Sequence, residues 1–79
     1  MELDTFINQF KSIFEVTPDD EFSGNTDFKA LDEWDSLMAL ETIIMIDEVY
    51  EVELDGDDIS NSTTIEDLFK IVKNRINGQ

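Results

Sequence analysis

Glu33-Trp34-Asp35-Ser36-Leu37 opens a run from Ser36 to Glu51 that reads Ser-Leu-Met-Ala-Leu-Glu-Thr-Ile-Ile-Met-Ile-Asp-Glu-Val-Tyr-Glu. The run predicts a helix that is apolar on two faces at once. At about 100° per residue, Ala39, Ile43, Ile46 and Tyr50 share one face, the expected core stripe. Leu37, Leu40 and Ile44 share the opposite face with Glu41, Glu48 and Glu51, and Asp47 sits on its flank. Three exposed aliphatics alone are ordinary. Aligned behind Ser36 and rimmed by acids, they form a ridge that a one-core domain leaves for a partner. The Ser36 hydroxyl, at the helix start, is placed to cap an orphan backbone N–H.

Working outward, Leu3, Phe6, Ile7, Phe10, Ile13 and Phe14 fall on one helical face. That helix is expected to end near Glu15, because Val16 and Thr17 are β-branched and Pro18 follows. Residues 16 to 34 read as a long polar connection, with a turn at Gly24-Asn25 and anchors at Phe22, Phe28, Leu31 and Trp34. Asp55-Gly56-Asp57-Asp58 reads as a turn leading to a short helical piece around Ile59. Thr63 and Glu66 have the spacing of a capping box. Ile65, Leu68, Phe69, Val72 and Ile76 then line a closing helix, with Lys70, Lys73 and Arg75 in its later turns, where cations suit the helix dipole. The sum is one domain over residues 1–79: an all-α four-helix bundle with a short third helix and a long first loop.

Composition narrows the function. A chain of 79 residues buries only roughly 60% of its unfolded surface, so its stability margin is thin. Five Lys/Arg against twenty Asp/Glu leave a net charge of −15. Residues 30 to 69 hold thirteen acids and no Lys or Arg. Such a field disfavours nucleic acid and anionic membrane surfaces, and it favours partners with basic patches. With no cysteine there is no disulfide scaffold or thiolate metal site, and with no histidine the commonest general base and zinc ligand are missing. The acidic N-terminus is not followed by an apolar segment of signal-peptide type, and nothing approaches the roughly 20 apolar residues of a membrane span. The expectation is a cytoplasmic monomer.

A catalytic role for Ser36 would need a base within hydrogen-bond reach, and a Ser-His-Asp arrangement cannot be built without histidine. The chain therefore does not read as an enzyme. A covalent group on Ser36 is better placed: the positive end of the helix dipole favours a phosphodiester there, and Asp35, whose charge opposes it, can also help to position the hydroxyl or face an incoming enzyme. Trp34 reads as closing the core rather than stacking on a ligand.

These residues resemble the acyl carrier protein family. Asp35-Ser36-Leu37 before an acidic amphipathic helix looks like its attachment motif, in which the serine receives a 4′-phosphopantetheine arm. The likeness covers nearly the whole chain: opening helix, long loop with a buried Phe (here Phe28), partner-binding helix, short third helix and closing helix. It implies a cofactor, 4′-phosphopantetheine, covalently held on Ser36, with Asp35 beside it. It implies partner recognition at Leu37, Leu40, Glu41, Ile44, Asp47 and Glu48. The implied partners are a phosphopantetheinyl transferase, which installs the arm from coenzyme A, and acyl-loading and acyl-processing enzymes. The implied task is to carry acyl or related carboxylic groups as thioesters, in fatty acid synthesis or a specialised pathway. Family members in fatty acid synthesis usually carry Gly two residues before the Asp or immediately before it. Glu33-Trp34 stands there in this chain, a form similar to carriers of specialised pathways.

The competing reading is a non-covalent acidic interaction module or a calcium-responsive one. Glu51-x-Glu53-x-Asp55-Gly56 and Asp19-x-Glu21-x-Ser23-Gly24 have the opening spacing of an EF-hand loop, but Ser62 and Ala30 stand where the closing bidentate Glu is required. No metal site is assigned. Loose gathering of a divalent cation by Glu51, Glu53, Asp55, Asp57 and Asp58 is the expectation that remains.

Overall fold

A computed structural model describes residues 2–78 of the chain. Its order is α1 (Leu3–Lys11), 3-10 turns at Asp19–Glu21 and Phe28–Ala30, α2 (Ser36–Tyr50), α3 (Gly56–Ser60) and α4 (Ile65–Asn77). Among the described residues there are no strands, only an isolated bridge between Asp27 and Thr64. The all-α four-helix architecture with a short third helix is as expected. α1 packs on α2 and α4, and α3 packs on α4.

α1 ends four residues before the expected Glu15. After Lys11 the backbone tightens into i→i+3 bonds, Ser12 to Gln9, Ile13 to Phe10 and Phe14 to Lys11. Ser12 Oγ also donates to the Gln9 carbonyl at 2.6 Å, a local bond that competes with helix continuation. Phe10 is fully buried and is the hub of an aromatic cluster. Its ring centroid lies 5.2 Å from Phe14, 6.5 Å from Phe22, 5.4 Å from Phe28 and 6.4 Å from Trp34. These rings anchor the long connection, as their apolar character implied. Phe6 joins the other end of the core through Tyr50 and Phe69.

The loop also closes the start of α4. A helix N-terminus leaves backbone donors without intrahelical partners. Here Ile65 N–H donates to the Thr26 carbonyl at 3.1 Å and Glu66 N–H to the Gly24 carbonyl at 3.0 Å. Gly24 sits close to Leu3, whose Cδ2 would lie 3.3 Å from an added Cβ. The capping box is shifted by one residue from its expected place. Thr64, not Thr63, is the N-cap, and its partner is Asp67, not Glu66. Asp67 Oδ2 accepts from both Thr63 and Thr64 N–H, which selects this register.

On α2 the buried residues are Met38, Thr42, Met45 and Ile46. The core stripe is therefore turned from the expected Ala39-Ile43-Ile46-Tyr50 line, whose members other than Ile46 are only half-buried. A helix apolar nearly all round gives periodicity little to choose between. Thr42 can occupy a fully buried place because its Oγ1 donates to the Met38 carbonyl at 2.8 Å. The helix stops at Tyr50, with Glu51 in the left-handed region at φ 57°. Beyond it Val52 and Leu54 point into the core while Glu51, Glu53 and Asp55 stay exposed.

Asp55-Gly56-Asp57-Asp58 is the first turn of α3 rather than a turn before it. Asp55 and Asp58 cap each other's backbone N–H at 3.0 Å. Asp58 also receives a bidentate pair from Arg75 at 2.7 and 3.1 Å, and Arg75 donates to the Glu53 carbonyl. Arg75 thus ties α4 to α3. The Arg75 hydrogen bond holds the Asp58 carboxyl below its ordinary 3.8. Such a group contributes stability that is complete above its unfolded value and is lost as pH falls through the folded one. Asp58→Ala removes half of the capping box and the ion pair, and should cost about 1–2 kcal/mol at neutral pH. The melting temperature should fall on the order of 5–15 °C. Thermal melts at pH 7 and pH 3 check this: the gap between variant and wild type should narrow at pH 3.

Candidate functional site: the start of the second helix

Asp35 has an extended backbone, φ −155° and ψ −171°, and its Oδ1 accepts the Met38 N–H at 2.9 Å. Its own carbonyl accepts the Ala39 N–H at 3.0 Å. Asp35 is therefore the N-cap, and the capping role expected of Ser36 belongs to its neighbour. Only one side chain can cap from the extended position, and aspartate does so as well as serine. Ser36 is left as the first helical residue, exposed, with its Oγ bonded to no described residue. The result is a free hydroxyl at the positive end of a fifteen-residue helix.

The lead-in to Ser36 is held by side chains. Trp34 lies edge-on to Phe28 at 4.9 Å and stacks near Phe14 at 6.3 Å. It closes the core as expected, and it also walls a shallow cleft of about 430 Å³ on which Ser36, Ala39, Ile43 and Ile59 open. Lys29 borders the same cleft and donates to the carbonyls of Ile59 and Ser60 at 3.3 and 3.0 Å, fixing the end of α3. Glu33 accepts the N–H groups of Glu15, Val16 and Thr17 and the Thr17 hydroxyl. The Glu15 bond is the main cause that holds the Glu33 carboxyl below its ordinary 4.5.

Behind Ser36 runs the ridge. Leu37, Leu40 and Ile44 are 62%, 51% and 47% exposed, and Glu41, Asp47 and Glu48 are exposed around them. Among the described residues no ion pair engages these three acids. Ile44, Glu41 and Glu48 also line a groove of about 420 Å³ between α2 and the end of α1. Ser36, Leu37, Leu40, Glu41, Ile44, Asp47 and Glu48 are thus all exposed on α2.

A family model described as the phosphopantetheine attachment site matches residues 4–72 of this chain. The chain belongs to that family. No curated protein and no solved structure matched it. The phosphopantetheine-attachment family carries 4′-phosphopantetheine covalently, and its domains are carriers that interact with phosphopantetheinyl transferases and acyl-processing enzymes. An exposed serine hydroxyl, free of internal hydrogen bonds and at a helix N-terminus, fits a phosphodiester-linked arm.

Other expectations fare differently. Among the described residues no three acidic side chains converge on a metal position. Of the five acids expected to gather a divalent cation loosely, Asp55 and Asp58 are engaged in capping, and Asp58 also with Arg75. Among the described residues no helix is long and apolar enough to cross a membrane. Glu33 and Lys29 were not legible as site residues. Both act on backbone groups that become neighbours only in the fold, 16–18 residues away for Glu33 and 30–31 for Lys29.

Proposed function

We propose that Ser36 is the attachment point of the arm and that this chain carries acyl or related carboxylic groups between enzymes as thioesters. The observation that carries this reading is the free Ser36 hydroxyl at the Asp35-capped start of α2, with the apolar, acid-rimmed ridge directly behind it. In arm transfer Ser36 Oγ bonds to the pantetheine-bearing phosphorus of coenzyme A, the pyrophosphate bond of coenzyme A breaks, and adenosine 3′,5′-bisphosphate leaves. The hydroxyl proton must leave to a base on the transferase, because this chain has no histidine and the Asp35 carboxylate is turned onto the Met38 N–H. The bound arm supplies the thiol that a cysteine-free chain lacks. The chain performs no bond chemistry of its own and works as a cytoplasmic monomer in fatty acid synthesis or a specialised biosynthetic pathway.

The test is direct. The purified protein, coenzyme A, magnesium and broad-specificity phosphopantetheinyl transferases are combined, and intact mass is followed. One arm per chain is expected, and no gain with several such transferases would remove the reading.

Leu37, Leu40 and Ile44 are the apolar contacts proposed for the transferase and the acyl-handling enzymes, and Glu41, Asp47 and Glu48 the charges that meet their basic patches. Rim charges act mainly on association rate and its salt dependence. The double variant Glu41→Lys/Glu48→Lys should slow arm loading at low salt by at least about tenfold. The difference should shrink at high salt, where screening is stronger. Its melting temperature should be unchanged or raised, since repulsion among acids is relieved. Stopped-flow or quenched loading at two salt concentrations reads the effect. Equal rates at low salt would show that docking lies elsewhere.

A further inference from the structure

Glu33 lies three residues before Ser36, in a stretch with no regular structure. Its Oε2 accepts from Glu15 N–H at 2.7 Å. Its Oε1 accepts from Val16 and Thr17 N–H at 3.1 Å each and from the Thr17 hydroxyl at 2.8 Å. A carboxylate offers about four acceptor positions, and four donors occupy them. The donors are consecutive residues of the chain leaving α1, past the point where its helical bonds have stopped. One ionised side chain therefore joins the exit of α1 to the entry of α2.

The next two residues add separate ties. Trp34 is held against Phe10, Phe14 and Phe28. Asp35 caps α2 through Met38 N–H. Ser36 itself has no side-chain tie, so the place of its hydroxyl is set by α2, which it begins, and by these three predecessors. Glu33 is the one that fixes the lead-in to the rest of the molecule by charge-assisted hydrogen bonds, which are stronger and more directional than ring packing. We infer that Glu33 is a positioning residue for arm attachment: through the Asp35 cap it holds Ser36 Oγ where a docked transferase can use it. This rests on Ser36 being the attachment point. It assigns a task to a residue outside the ridge, whose carboxylate is bonded to its own chain.

The expected signature separates positioning from docking and from simple stability. Glu33→Gln keeps the shape but puts an amide NH₂ against backbone donors, so at least half of the anchor is lost. The ridge is untouched, so the KM for the carrier in transferase loading should stay within about twofold. The kcat should fall about tenfold, because misplacement of a reacting group on the order of 1 Å costs up to about a hundredfold. Exchange of the Met38 amide, which Asp35 holds, should quicken. Glu33→Asp restores the charge one methylene shorter and should recover part of kcat. Thr17→Val removes only the hydroxyl bond and should lower kcat about two- to threefold, which keeps the test open if Glu33→Gln does not fold. All assays are run well below each variant's melting temperature.

Five outcomes are distinguished. A fall in kcat with KM unchanged and a faster Met38 amide supports the assignment. An unchanged kcat with faster exchange confined to residues 15–17 makes Glu33 a loop fastener and overturns it. A rise in KM alone places Glu33 in docking and also overturns it. A wild-type protein that takes no arm removes the attachment reading and the inference together, whereas a wild type that loads normally beside an equally fast Glu33→Gln removes the inference alone.

Discussion

Ser36→Ala should yield a protein that is folded to the same degree as wild type and takes up no arm at all. On the proposed attachment the loss should be complete, because the hydroxyl oxygen is the atom that would form the new bond. No cysteine is present to substitute for it, and the other serines, threonines and the tyrosine do not stand at the start of α2. The fold should not notice the change. Ser36 Oγ makes no hydrogen bond to any described residue, the cap is supplied by Asp35, and alanine is the best helix former at an exposed helical position. Stability should therefore stay within about 0.5 kcal/mol of wild type. Circular dichroism melts and intact mass after incubation with coenzyme A and a transferase check both halves. An arm on the alanine variant would place the attachment elsewhere. A large drop in melting temperature would show that the hydroxyl has a structural bond after all.

The largest effect on stability is expected at Phe10. Its ring is fully buried and touches Phe14, Phe22, Phe28 and Trp34, so one side chain joins α1, both ends of the long connection and the lead-in to Ser36. Phe→Ala in a core costs about 3–5 kcal/mol, because the lost transfer free energy is joined by the cavity left behind. A chain of 79 residues has a total stability of roughly 4–12 kcal/mol. Phe10→Ala should therefore lower the melting temperature on the order of 15–30 °C or leave the chain largely unfolded at 37 °C. Phe10→Leu, which keeps most of the volume, should fold with a smaller loss. That milder variant should load its arm more slowly than wild type, because Trp34 loses part of its backing just before Asp35 and Ser36. Chemical denaturation and loading rates on the leucine variant check this. Unchanged stability in Phe10→Ala would mean that the aromatic cluster is not the centre of the core.

The residues that carry the carrier reading were visible without coordinates. Asp35-Ser36-Leu37 is contiguous, and the positions of Leu37, Leu40, Glu41, Ile44, Asp47 and Glu48 follow from helical periodicity once the helix start is known. The two amphipathic helices at the ends of the chain read clearly because each has one apolar face only. Where a helix is apolar on most sides, periodicity loses its power. The buried line of α2 was misplaced for that reason, and Met38, Thr42 and Met45 were missed. Cap positions slipped by one residue at both Asp35 and Thr64, because Asp-Ser and Thr-Thr pairs each offer two capable caps side by side.

The sequence by itself determined the helical class, the acidic ridge and the serine that stands at its head, since these depend on composition and on neighbours within a turn or two. Tertiary structure decided which hydroxyl is free and which side chain caps. It turned Asp55 and Asp58 toward capping, and Asp58 toward Arg75. It brought Glu33 to the backbone of residues 15–17 and Lys29 to the end of α3. The physical reason is common to all of these. A hydrogen bond between groups far apart in sequence exists only after the core has brought them together, and here that core is built around the Phe10 cluster.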